Sequence, residues 1–108
     1  MADAVRLVLM AVPDVATAER LVETLVTERH AACGSIVPGA TSIYWWKGVL
    51  EKSAEALVVL KTTRAATEDL LSRAAELHPY EVPELLVVAL DGGHLPYLDW
   101  VRTEVRTD

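Results

Sequence analysis

Seven consecutive residues, His78-Pro79-Tyr80-Glu81-Val82-Pro83-Glu84, carry the densest set of functional groups in the chain. An imidazole, a phenol and two carboxylic acids lie within a stretch whose two prolines fix the backbone that presents them. Rigid presentation of polar side chains on a loop is a common way to build a binding site. The competing reading is a stiff connector whose polar groups serve backbone atoms and water. A metal centre needs two or more His, Cys or carboxylate ligands to converge. His78 with Glu81 or Glu84 could begin one, which makes His78 the metal ligand to examine, and Cys33 is the single soft thiol. Cys-x-x-Cys, His-Glu-x-x-His and calcium-loop spacings are absent. So are the Gly-x-Ser-x-Gly elbow, the phosphate loop and the dinucleotide fingerprint, so the sequence points to no catalytic residue and no organic cofactor. Cys33 follows Ala31-Ala32 in an apolar stretch, where a free cysteine behaves as a small hydrophobe. Lys61 closes another apolar run and could reach an anion in a cleft or extend to water.

These groups belong to a chain of 108 residues, 52% hydrophobic and 24% charged. That is the composition of one globular domain, residues 1-108, with core enough to fold without staples. Sixteen acidic residues against ten basic ones leave a net charge of −6. No Lys/Arg stripe offsets that charge, which argues against nucleic acid as a partner. A lone cysteine excludes an internal disulfide and fits a reducing compartment. The opening stretch Met1 to Val12 lacks a basic leader with a cleavage site and is too short to span a bilayer, so the expectation is a cytoplasmic protein without a membrane partner.

The elements that must position the cluster can be read in order. Val5 to Val12 is a near-continuous apolar run, as in a strand central to a sheet. Asp14 is a credible N-cap for a helix whose stripe is Ala18, Leu21, Val22, Leu25 and Val26. His30, past its last turn, reads as a helix C-terminal cation when protonated and a solvated side chain otherwise. Thr63 can cap a second helix with the stripe Leu70, Leu71, Ala74, Ala75 and His78, which must stop at or before His78 because Pro79 disfavours helical geometry there. Leu85 to Leu90 reads as a buried strand ended by Asp91-Gly92-Gly93, and Pro96 to about Arg106 as a last helix with Leu98, Val101 and Val105 on one face.

Between the first two helices, Ala32 to Thr63 forms one long β-hairpin folded back at Lys47-Gly48. Its first arm would reach roughly 50 Å at ~3.3 Å per residue, more than the ~34 Å breadth of a compact globule of this length. The ribbon must therefore bend or leave the globule. Pro38-Gly39 supplies a bend, as at a bulge. Beyond it, Ile43 and Trp45 fall on one face and Tyr44 and Trp46 on the other, so both faces of the tip are largely apolar. A second copy of the chain covering these four residues accounts for that pattern. The alternative is that the last helix folds over the tip within one subunit. The order is β-α-β-β-α-β plus a C-terminal helix, an α+β, ferredoxin-like arrangement with the first and third strands central.

The hairpin and the proline-fixed loop together resemble the CutA family of divalent-cation tolerance proteins. The matching stretches are Ala31-Ala32-Cys33, Val37-Pro38-Gly39-Ala40-Thr41-Ser42-Ile43-Tyr44-Trp45-Trp46-Lys47-Gly48, Leu60-Lys61-Thr62 and, above all, His78 to Leu85. Pro13-Asp14 and Tyr97-Leu98-Asp99-Trp100 extend the likeness across nearly the whole chain. The resemblance implies a ferredoxin-like subunit in a stable cytoplasmic homotrimer, with hairpins packed between subunits, a link to divalent-metal tolerance, copper as the reported metal and no established reaction. Some bacterial members carry a cysteine near the end of the first strand and a second histidine before the His-Pro-Tyr-Glu motif. Here those positions are Met10 and Leu77, so only His78 survives of that set. The resulting expectation is a non-enzymatic trimer whose intersubunit clefts, lined by Lys61, His78, Tyr80, Glu81 and Glu84, bind a divalent ion or small ligand. The alternatives are a nucleotide or small-molecule sensor similar to the PII signalling proteins, and a structural anchoring trimer.

Overall fold

The computed structural model describes residues 3–106. Its elements are β1 (Val5–Val12), α1 (Val15–Thr27), β2 (Cys33–Trp46), β3 (Val49–Thr63), α2 (Thr67–Leu77), β4 (Leu85–Ala89) and α3 (Leu95–Glu104). All strand pairs are antiparallel, in the order β2-β3-β1-β4. The first and third strands are thus central, as the apolar runs require.

One sheet face carries α1 and α2. Ala18, Leu21 and Leu25 of α1 and Leu70 and Ala74 of α2 pack on Val8, Met10 and Val12 of β1 and Ala56, Val58 and Leu60 of β3. Met10 is therefore core. The Asp14 carboxylate accepts a 2.7 Å bond from the Thr17 N–H, and this bond holds its pKa below the ordinary value. A tight spot lies at Gly34, where an added Cβ would meet a Val22 methyl and a Leu60 methyl at 2.8 Å each, so glycine lets α1 lie close on β2. A second cluster joins Leu98 and Val101 of α3 and Val105 just past its end to Val5, Ala32 and Ala66, at the end of the sheet remote from the hairpin turn.

The hairpin both bends and leaves the globule. The molecule measures 47 × 26 × 22 Å. Lys47 and Gly48 have φ of 49° and 79°, the paired left-handed geometry of a two-residue type I′ turn. The register of β2 against β3 shifts between Val37 and Ala40, with Gly39 at φ 79°. This one-residue bulge inverts the alternation of β2. Before it, Cys33, Ser35 and Val37 pair with Lys61, Val59 and Leu57; beyond it, Ala40, Ser42, Tyr44 and Trp46 pair with Glu55, Ser53, Glu51 and Val49. Even-numbered β2 residues thus take the face that odd-numbered ones held. The last helix does not fold over the tip: Ile43 is 65% and Trp45 72% exposed.

Three local readings need correction. Thr63 does not cap α2, which starts at Thr67 behind Ala66 with no side-chain cap; its hydroxyl instead accepts a 3.4 Å bond from the Ala66 N–H in the preceding turn. His30 is not solvated. It is buried, because Arg29 in the left-handed region ends α1 in a Schellman turn, His30 N–H to Leu25 C=O and Arg29 N–H to Val26 C=O, which turns the chain inward. Its Nε2 lies 3.3 Å from a Glu28 oxygen, and Glu28 is held below the usual carboxylate range mainly by its hydrogen bond with Arg73. Finally, β4 is an edge strand rather than a buried one, with Leu86 and Val87 exposed in the single chain.

Candidate functional site

A cleft of about 650 Å³ opens between the hairpin and the loop joining α2 to β4, lined by residues from four places in the sequence, Ala11 of β1 among them. Ser42, Ile43, Tyr44 and Trp46 come from the ribbon, Glu55 from β3, and Tyr80, Glu81 and Glu84 from the loop. The inverted alternation beyond the bulge is what puts Tyr44 and Trp46 on the same side as Glu55.

His78 anchors the loop. The pairing of β1 with β4 ends at Met10 and Leu85, and the next carbonyl, that of Ala11, is met by His78 Nε2 at 2.7 Å. The Tyr80 N–H donates to His78 Nδ1 at 3.1 Å. A carbonyl can only accept and an amide N–H can only donate, so the ring carries its proton on Nε2 and its lone pair on Nδ1. Both nitrogens are thereby engaged within the chain, at a residue 7% exposed. The ring also packs on Tyr80, with centroids 4.8 Å apart.

Tyr80 donates its hydroxyl to Glu55 at 2.6 Å. Burial first, then this bond and the charge on Glu55, push the Tyr80 phenol above its ordinary range and keep it a donor. Glu55 is only 8% exposed yet lines the cleft. Nothing in the spacing of the sequence singled it out; the available signal was an acid within a strand, facing the Pro38-Gly39 bulge and followed by apolar Ala56-Leu57-Val58. On the ribbon, the Tyr44 hydroxyl lies 3.3 Å from the Ser53 hydroxyl. At the mouth, the Lys47 ammonium sits 3.6 Å from a Glu81 oxygen and 5.4 Å from the centre of the Trp46 ring.

Of the residues expected at the site, the structure thus brings Tyr80, Glu81 and Glu84 together, with His78 directly behind them. Lys61 is not with them. It shares the sheet face of Glu55 but lies six positions along β3, about 20 Å at the usual strand rise, and donates to the Ser35 hydroxyl at 2.8 Å. Cys33 is also elsewhere, half-buried, with its sulfur 3.5 Å from the Tyr97 hydroxyl. Among the described residues, no group of three or more His, Cys, Asp or Glu side chains is placed to hold a metal ion. No helix among them is long and apolar enough to cross a membrane.

Comparison with known proteins gives a consistent result. The family model described as CutA1 divalent ion tolerance protein matches residues 6–104. The divalent-cation tolerance protein CutA of Escherichia coli is 42% identical over 99 residues, covering 92% of this chain and 88% of that protein. Among solved structures, CutA1 from Oryza sativa superposes with a TM-score of 0.95 at 34% identity, covering 99% of this chain and 98% of that one. The divalent cation tolerance protein from Thermus thermophilus gives 0.91 at 42% identity, over 94% and 99%. The protein from Archaeoglobus fulgidus, described as periplasmic, gives 0.91 at 25%, over 94% and 99%. With a family match over nearly its whole length and relatives this similar in sequence and fold, the chain belongs to the CutA1 divalent ion tolerance family.

Proposed function

We propose that this protein is a non-enzymatic homotrimer of divalent-cation tolerance that binds a small ligand, metal ions such as copper among them, at clefts completed between subunits. The observation that carries this reading is the aromatic ribbon: Trp45 stands exposed on one face while Tyr44 and Trp46, on the other, form a wall of the cleft. An apolar surface of this kind on a water-exposed ribbon is stable when a further copy covers it, and the cover then closes the open side of the cleft. Tyr80, Glu81 and Glu84 are the ligand-facing groups, and His78 positions them. Lys61 joins such a cleft only as the contribution of a neighbouring copy. Copper, if it binds, meets carboxylate oxygens here more readily than His78, whose nitrogens are committed to Ala11 and Tyr80. The lone Cys33 supports a reducing, cytoplasmic setting, which cell fractionation tests directly.

The assembly is tested by light scattering at micromolar chain concentration. The mass of three chains is expected for the native protein, and Trp45→Ser is expected to lower it. A native mass equal to one chain overturns the reading. Calorimetric titration of copper(II) and zinc(II), with Glu84→Gln beside the native protein, tests the cleft. A binding constant that does not change in the variant removes Glu84 from the site.

A further inference from the structure

We infer that the cleft is built for an organic ammonium cation, and specifically for a short aliphatic diamine, more than for a bare metal ion. This rests on the cleft being the binding site, as proposed above, and names its ligand class. Three observations carry it.

The first is Glu55. A carboxylate that is 92% buried normally has a cation beside it, because burial of an unpaired charge is costly. Glu55 has no Lys, Arg or His partner among the described residues; it receives one hydrogen bond, from Tyr80 to Oε2. Its other oxygen receives no hydrogen bond from the protein among them but is open to the solvent of the cavity that Glu55 lines. A positive group is therefore what the site lacks.

The second is the wall chemistry. Tyr44, Trp46 and Tyr80 line the same cavity as Glu55, Glu81 and Glu84. Aromatic faces attract alkylammonium groups and also accept the methylene chain between them, whereas a small hard cation gains little from such walls and requires converging oxygen ligands. No such convergence of three ligating side chains exists among the described residues, and about 650 Å³ is far more room than one ion needs.

The third is that the chain already seats an ammonium in this manner. Lys47 holds its Nζ 5.4 Å from the centre of Trp46 and 3.6 Å from Glu81, at the mouth. With Glu81 so occupied, Glu55 at the base and Glu84 at the rim remain as acceptors for two cationic ends. That count favours a diamine over a monoamine.

The experiment is calorimetric titration of the native assembly with putrescine, butylamine, tetramethylammonium and the uncharged diol of the same length, against copper(II) as the metal probe. Putrescine is expected to bind about tenfold more tightly than butylamine, equivalent to about 1.4 kcal/mol from a second favourable charge contact, and the diol is expected not to bind. Glu55→Gln keeps the Tyr80 contact while removing the charge and should weaken putrescine at least about tenfold. Trp46→Leu should weaken it about three- to tenfold through the lost cation–ring attraction. Circular dichroism of each variant shows that the fold is intact. Copper binding that depends on Glu84, with no heat from any amine, overturns the inference and leaves the proposed function standing. Putrescine binding unchanged in both Glu55→Gln and Trp46→Leu overturns the assignment of the amine to this cleft. Absence of both copper and amine binding to an intact trimer overturns the cleft itself as a site.

Discussion

His78→Phe separates a ring that holds the loop from a ring that holds a metal. Phenylalanine retains a ring in the space beside Tyr80 but can neither donate to the Ala11 carbonyl nor accept from the Tyr80 N–H, which in the native chain lie 2.7 and 3.1 Å from the imidazole nitrogens. The residue is 7% exposed, so water does not easily replace either bond. Each stranded polar group costs about 1–3 kcal/mol, so the two together should lower stability by about 2–6 kcal/mol. That is a large fraction of the roughly 5–15 kcal/mol that a domain of this size has available. Urea denaturation followed by far-ultraviolet circular dichroism, at one chain concentration, measures the loss as a shift in midpoint at unchanged slope. The loss should be the same in chelator and in added copper, because neither bond involves a metal. A loss below about 0.5 kcal/mol would refute the anchoring role. A loss that appears only with copper present would make His78 a ligand after all.

Three further outcomes follow from the same geometry. Gly34→Ala places a methyl 2.8 Å from both Val22 and Leu60 side chains and should cost about 1–3 kcal/mol in urea denaturation, partly recovered in the double variant with Val22→Ala; no recovery would show that crowding is not the cause. Gly48→Ala meets nothing within 4 Å, so its expected cost of about 1 kcal/mol comes from the left-handed backbone alone, and a neutral result would mean that the turn relaxes. The Tyr97 hydroxyl is pushed up to about 12, first by its bond with Cys33 and then by burial. The folded chain thus holds this proton more tightly than an unfolded tyrosine near 10. Its stabilising contribution is complete below about pH 10 and falls as the pH rises from there through about 12. Cys33→Ala should move the Tyr97 tyrosinate absorbance step back toward the ordinary value, and an unmoved step would remove Cys33 as the cause.

The sequence by itself determined the element order, the central strands and the outreach of the hairpin, because these follow from local rules. Apolar runs mark β1 and the inner part of β3, 3.6-residue stripes mark α1 and α2, and an arm of fifteen extended residues is longer than the globule is wide. The same local logic placed the end of α2 at or before His78, ahead of Pro79, and the bend at Pro38-Gly39. It could not reach the identity of the cleft. Glu55 enters it because a bulge on the neighbouring strand inverts which β2 residues share its face, and register between strands is a property of two segments at once. Lys61 looked like a companion of His78 as a polar residue at a strand end, yet strand length sets it apart from Glu55 by about 20 Å. His78 itself was visible as a functional group; that both its nitrogens are spent on Ala11 and Tyr80 depended on β4 stopping one residue short of Ala11, which only the folded sheet decides.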